Sequence, residues 1–112
     1  MAKLIGEQML MRVFIGEGDR YEHQPLYEAL VELLRNEGVA GVTVLRGVCG
    51  FGAGKVCHSQ KLLDLSANLP LVVEVVDSQE KIDSVMPRID AMMSGGMITL
   101  EKATVIRYSS SD

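Results

Sequence analysis

The sequence predicts an α+β fold in which two β-α-β units share one four-stranded antiparallel sheet, with both helices on the same face. Three observations carry this. Apolar runs with strand character recur at Met9–Ile15, Val42–Gly47, Leu69–Val76 and Met97–Tyr108. Two intervening stretches, Leu26–Leu34 and Ile82–Met93, place apolar residues at helical spacing instead. The order strand, helix, strand therefore occurs twice within 112 residues. That order is the split β-α-β, or ferredoxin-like, arrangement. A small flavodoxin-like fold is the rival, but it requires more strand–helix units than this chain contains.

Each element has its own local reason. Met1–Gly6 reads as a flexible start, with Leu4 and Ile5 as the residues that could dock elsewhere. Met9–Ile15 is apolar on both faces apart from Arg12, and it ends in Gly16-Glu17-Gly18-Asp19, a turn signal. Pro25 suits the first turn of a helix in which Leu26, Leu30, Leu33 and Leu34 form one stripe, and Gly38 is its natural stop. From Gly41 the chain alternates, with Val42, Val44 and Arg46 on one side and Thr43, Leu45 and Gly47 on the other. Ser59–Ser66 fits either a short helical turn or a loop. At the end of the third strand, Asp77 or Ser78 is placed to cap the next helix, with Glu80 in its first turn. Pro87 interrupts that helix and predicts a kink or a two-part helix. Ser94-Gly95-Gly96 ends it, and Met97–Tyr108 is a final strand or strand pair.

The totals narrow the class. Residues 1–112 read as a single domain with a core of about residues 9–108, long enough to bury roughly 60–70% of its unfolded surface. With 47% apolar residues, no tryptophan, three tyrosines and two phenylalanines, the core must be aliphatic. A net charge of −4 argues against a nucleic-acid partner, which would require a basic surface. No apolar run approaches the roughly 20 residues that span a bilayer, so direct membrane insertion is not expected. No secretory leader is visible, which makes the cytoplasm the expected compartment and free thiols the expected state of Cys49 and Cys57.

The third strand also speaks to assembly. Leu71, Val73 and Val75 face one way, while Val72, Glu74 and Val76 face the other. Helices cover only one face of such a sheet, so the other should be polar in a monomer. Full exposure of Val72 and Val76 would forfeit roughly 1.5–3 kcal/mol each. The open face is therefore expected to bury itself against copies of the same chain.

The most informative stretch for function follows the second strand. Gly47, Gly50, Gly52 and Gly54 surround Phe51, Lys55 and His58. Glycine at this density contributes no packing and has the most backbone entropy to lose, so it suits a loop that bends sharply or brings amides to a ligand. The phosphate-loop pattern G-x-x-x-x-G-K-[ST] fails, because Cys49 stands where glycine is needed and Val56 where a hydroxyl is needed. The dinucleotide pattern fails too, since Gly50, Gly52 and Gly54 run G-x-G-x-G. What is left is an amide-rich loop with one lysine, compatible with anion binding. Cys49, Cys57 and His58 are chemically suited to zinc or copper(I), but no C-x-x-C pairing is present. Glu74 and Asp77 could act as an acid–base pair, although such residues more often cap a helix or bond across an interface. No nucleophile–base pair is visible, so the chain is not expected to be an enzyme.

Taken together, Gly41-Val42-Thr43-Val44, Arg46-Gly47, Gly50-Phe51-Gly52 and His58 resemble a PII-like family of small bacterial and archaeal proteins long labelled a domain of unknown function. Leu69-Pro70, Glu74-Val75-Val76-Asp77, Pro87 and Met97-Ile98-Thr99-Leu100-Glu101 extend the resemblance over about Met9–Tyr108. It implies a ferredoxin-like protomer in a PII-like homotrimer, in which an adenine nucleotide binds at subunit clefts and a long loop contacts a partner protein. That loop maps to Gly50–Ser66, and the phosphate-cradling loop maps to Ser94-Gly95-Gly96-Met97. The effector set is then Arg46, Gly50, Phe51, Gly52, Lys55, His58, Gly95 and Gly96, with glycine amides and three basic side chains as donors. Two departures stand out. The lysine-containing glycine signature is reduced to Gly95-Gly96, and Gly50–Ser66 has no tyrosine to serve as a uridylylation site. Two alternatives remain open. One is a metal-binding trimer resembling the CutA group, with Cys49, Cys57 and His58 as ligands. The other is an effector-independent adaptor of a membrane transporter or channel.

Overall fold

Strand β1 runs over fourteen residues, Lys3–Gly16, and the remaining elements are arranged around it. The computed structural model describes residues 3–51 and 68–109. After β1 come a short pair, β2 (Arg20–Tyr21) and β3 (Gln24–Pro25), then α1 (Leu26–Asn36), β4 (Val42–Arg46), β5 (Pro70–Asp77), α2 (Gln79–Met92) and β6 (Met97–Tyr108). The main sheet has the order β4-β5-β1-β6, and every pairing in it is antiparallel. This is the α+β, split β-α-β architecture that the periodicities predict. No helix among the described residues is long and apolar enough to cross a membrane.

Register explains the core. Two rows of side chains cross the sheet on the helix side: Val44–Val73–Val13–Ile98 and Val42–Val75–Met11–Leu100. Their central members, Met11, Val13, Val73 and Val75, are fully buried with Leu30 and Leu34 of α1 and Ile82, Val85 and Ile89 of α2. Each such side chain contributes roughly 1.5–3 kcal/mol through burial.

The helix ends follow local chemistry. Pro25 stands at the N-cap of α1, one residue before the helical turn predicted for it. Gly38 takes φ +76°, and its N–H donates to the Arg35 carbonyl at 3.1 Å, closing the helix as expected. At α2, the Ser78 hydroxyl accepts from the Lys81 N–H at 3.1 Å. Asp77 accepts from the Ala40 and Ser78 amides at 2.8 and 2.7 Å, tying the α1–β4 loop to the start of α2.

One expectation is corrected and two open alternatives are narrowed. Met1–Gly6 is not a flexible start throughout, because Lys3–Gly6 pair with Val105–Tyr108 as part of β1. This ribbon extends beyond β5, and its exposed Ile5 and Ile106 face each other across the strands. Helix α2 is one continuous helix through Pro87 and not two parts. Pro87 removes only the bond to the Asp83 carbonyl on an exposed face, while Ile82, Val85 and Ile89 hold the buried face. Met97–Tyr108 is one strand, not a pair, since β1 provides an unbroken partner along its whole length. The helical turn considered for Ser59–Ser66 lies outside the described residues.

Candidate functional site

The open face of the sheet alternates apolar and charged rows. Leu45, Val72, Phe14 and Met97 align across all four strands. The next row is Thr43, Glu74, Arg12 and Thr99. Here the Arg12 Nε donates to Glu74 at 3.0 Å and its Nη1 to Glu101 at 2.6 Å. These bonds, to Glu74 first and Glu101 second, hold the arginine above its ordinary pKa, so it stays charged. Glu74 is thus occupied by an ion pair, and Asp77 by backbone amides, which gives both residues structural roles. Val72 and Val76 are half-buried within the protomer, because Phe14 and Leu10 stand beside them, so their exposure falls short of complete. Leu45 and Met97, at the ends of the apolar row, are 48% and 54% exposed.

That row leads into a pocket of about 430 Å³ where β1 ends and β6 begins, within the range of small-molecule sites. It is lined by Phe14, Ile15, Gly16 and Asp19 on one side, by Gly50, Phe51, Asn68 and Pro70 on another, and by Gly96 and Met97. Backbone approach shapes it. Gly96 has φ +92°, and a Cβ there would overlap the Phe14 carbonyl oxygen. A Cβ on Gly47 would lie 2.7 Å from the Pro70 ring, and the Gly47 N–H donates to the Pro70 carbonyl at 2.7 Å. These contacts bring the glycine-rich segment after β4 against the start of β5.

Polar contacts organise the rim. The Asp19 carboxylate accepts from the Gly16 N–H at 2.9 Å. The Asn68 amide oxygen accepts from the Gly18 N–H. Arg46 is not a lining residue; its guanidinium pairs with Glu17.

Of the predicted effector set, the structure brings Gly50, Phe51 and Gly96 together in one pocket, although Gly96 is more than 40 residues from the other two in sequence. Gly95 adjoins Gly96 without lining the pocket. Gly52, Lys55 and His58 lie outside the described residues, as does Cys57. Cys49 is exposed, and among the described residues no group of His, Cys, Asp and Glu is arranged to hold a metal ion. Met97 belongs to the Ser94–Met97 turn already mapped to effector binding, whereas Phe14, Ile15, Gly16, Asp19, Asn68 and Pro70 were not expected as pocket residues. Asp19 and Asn68 carried only turn and strand-boundary signals, and Phe14 read as an ordinary strand residue.

Comparison with known proteins places this chain in a family. Residues 8–105 match the DUF190 family model, described as Uncharacterized ACR, COG1993. The chain belongs to the DUF190 family. A UPF0166 protein of Aquifex aeolicus is 37% identical over 100 residues, covering 89% of this chain and 94% of that protein. A UPF0166 protein of Methanocaldococcus jannaschii is 31% identical over 99 residues, covering 88% and 91%. Among solved structures, the chain resembles CPII from Thiomonas intermedia, a nitrogen regulatory PII-like protein bound to ADP, AMP and bicarbonate. The TM-score is 0.62 at 14% identity, with 91% of both chains covered. It also resembles a putative PII-like signaling protein from Thermus thermophilus, with TM-score 0.61, 15% identity and 92% and 91% covered. At these identities the likeness establishes a PII-like fold.

Proposed function

We propose that this DUF190 protein is a PII-like regulator, not an enzyme. It assembles as a homotrimer through its open sheet face, binds an adenine nucleotide at the pocket between β1 and β6, and presents the Gly50–Ser66 segment to a protein partner. The observation that carries this reading is the convergence of Gly50, Phe51 and Gly96 on one pocket. These residues come from the two separate segments that the resemblance implies for effector binding. The Thiomonas intermedia protein of similar fold, bound to ADP and AMP, supports an adenine nucleotide as effector. The apolar row Leu45–Val72–Phe14–Met97 supports burial of the open face between subunits, which would put each pocket beside a neighbouring chain. Effector binding then changes the surface that this segment offers to the partner. Lys55 and His58 are proposed to supply charge or hydrogen-bond donors to the phosphates.

The test combines calorimetric titration with ADP and AMP and a light-scattering mass. A mass of three chains with saturable nucleotide binding is expected. A mass of one chain would overturn the assembly, and failure of both nucleotides to bind would overturn the effector.

A further inference from the structure

We infer that the pocket between β1 and β6 seats the uncharged planar ring of the effector, a nucleobase, and not its phosphates. This rests on the effector reading above and assigns the orientation within the site. It departs from the resemblance, which would set the phosphates against the turn at Ser94–Met97.

The lining chemistry points this way. Phe14, Ile15, Phe51, Pro70 and Met97 present apolar surface. Phe51 is 70% exposed, an unusual placement for an aromatic side chain in a chain with so few of them. An exposed ring on a pocket wall is a stacking platform for a second ring. Among the described lining residues, the polar side chains are Asp19 and Asn68. Backbone donors fix both: the Gly16 N–H holds Asp19 and the Gly18 N–H holds Asn68. With its oxygen committed to Gly18, Asn68 keeps its NH₂ as a donor, and the second Asp19 oxygen is an acceptor. A site for Cβ on Gly16 would be 3.0 Å from the Asn68 amide, so the two side chains converge on the same residue. A donor beside an acceptor matches the edge of a nucleobase. A phosphate in this position would instead meet the Asp19 carboxylate, a like charge, and the nearby Arg46 is already paired with Glu17.

The experiment is a set of competition titrations on the full chain with ADP, adenosine and inorganic pyrophosphate, repeated for Phe51→Ala and Asp19→Asn. Phe51 is exposed, so its truncation leaves the fold intact, and Asp19→Asn retains an oxygen for the Gly16 N–H. Adenosine is expected to displace ADP. Phe51→Ala is expected to weaken adenosine and ADP by the same factor, roughly tenfold or more, while Asp19→Asn tightens neither ADP nor pyrophosphate. The opposite sign overturns the orientation: ADP binds, pyrophosphate displaces it, adenosine does not, and Asp19→Asn tightens both phosphate ligands. If none of the three ligands binds the wild-type chain, the effector reading fails and the orientation falls with it.

Discussion

Gly96 passes beneath Phe14 so closely that a methyl group at position 96 would occupy the space of the Phe14 carbonyl oxygen. This relationship joins the last residue before β6 to the end of β1 and forms the floor of the pocket. It also explains why glycine is required at one member of the Gly95-Gly96 pair and not at the other.

Gly96→Ala is therefore expected to destabilise the protein by about 2–4 kcal/mol, from a left-handed φ combined with a backbone overlap. Gly95→Ala has nothing within 4 Å of its new methyl group and should stay within about 0.5 kcal/mol of wild type. Urea unfolding of the two variants measures the difference. Equal effects would contradict the close approach.

Leu45→Asp tests the open face. Leu45 is exposed in the protomer, so the substitution costs little in the isolated chain. Within a buried interface it would place an unpaired charge, which costs several kcal/mol per ion. The expected result is a fall in light-scattering mass to one chain with an unchanged circular dichroism spectrum. A variant that remains fully assembled would exclude this face as the interface.

Arg12 sits between Glu74 and Glu101 on the same face, and removing its charge leaves two carboxylates side by side. Arg12→Gln is expected to be less stable than wild type, increasingly so at low ionic strength. The sign of the pH dependence follows from the raised arginine pKa. Stability from a group with a raised pKa is present below its unfolded value and is lost only as pH rises through the folded one. For arginine both values lie far above neutrality. The gap between wild type and Arg12→Gln should thus stay constant from about pH 6 to pH 10. A gap that closes within that range would point to a different partner for the carboxylates.

Helix α2 offers a pair of opposite outcomes. Ser78→Ala removes the acceptor for the Lys81 N–H and should cost about 1 kcal/mol. Pro87→Ala returns a donor to the Asp83 carbonyl within a helix that is already continuous and should stabilise the protein by about 1 kcal/mol or more. Thermal unfolding should move about 4–8 °C per kcal/mol in a domain of this size, downward for the first and upward for the second.

Much of the architecture was legible from local pattern. Alternation in Val42–Arg46, the leucine stripe beginning at Leu26 and the stripe from Ile82 to Ile89 each report a period, and period alone distinguishes strand from helix. The doubly apolar third strand, with Val72 and Val76 opposite Val73 and Val75, also disclosed a face that helices do not cover. Pro87 shows where local rules leave more than one outcome open. Its cost is real, but a fully buried stripe on the opposite face outweighs one lost hydrogen bond.

Patterns along the chain were thus enough for the order of the four main strands and two helices, though not for the short β2–β3 pair, and for the composition of the core and the two glycine-rich segments from which effector contacts were expected. Folding in three dimensions settled the rest: Phe14, Asp19, Asn68 and Met97 share a pocket, Arg46 is paired with Glu17, and Lys3–Gly6 belong to a strand. Periodicity is a property of neighbours along the chain. A pocket depends instead on strand order and register, where a shift of one residue turns every side chain to the other face. Phe14 faces Met97 because β1 pairs with β6 in one register, and no local signal near either residue specifies that partner.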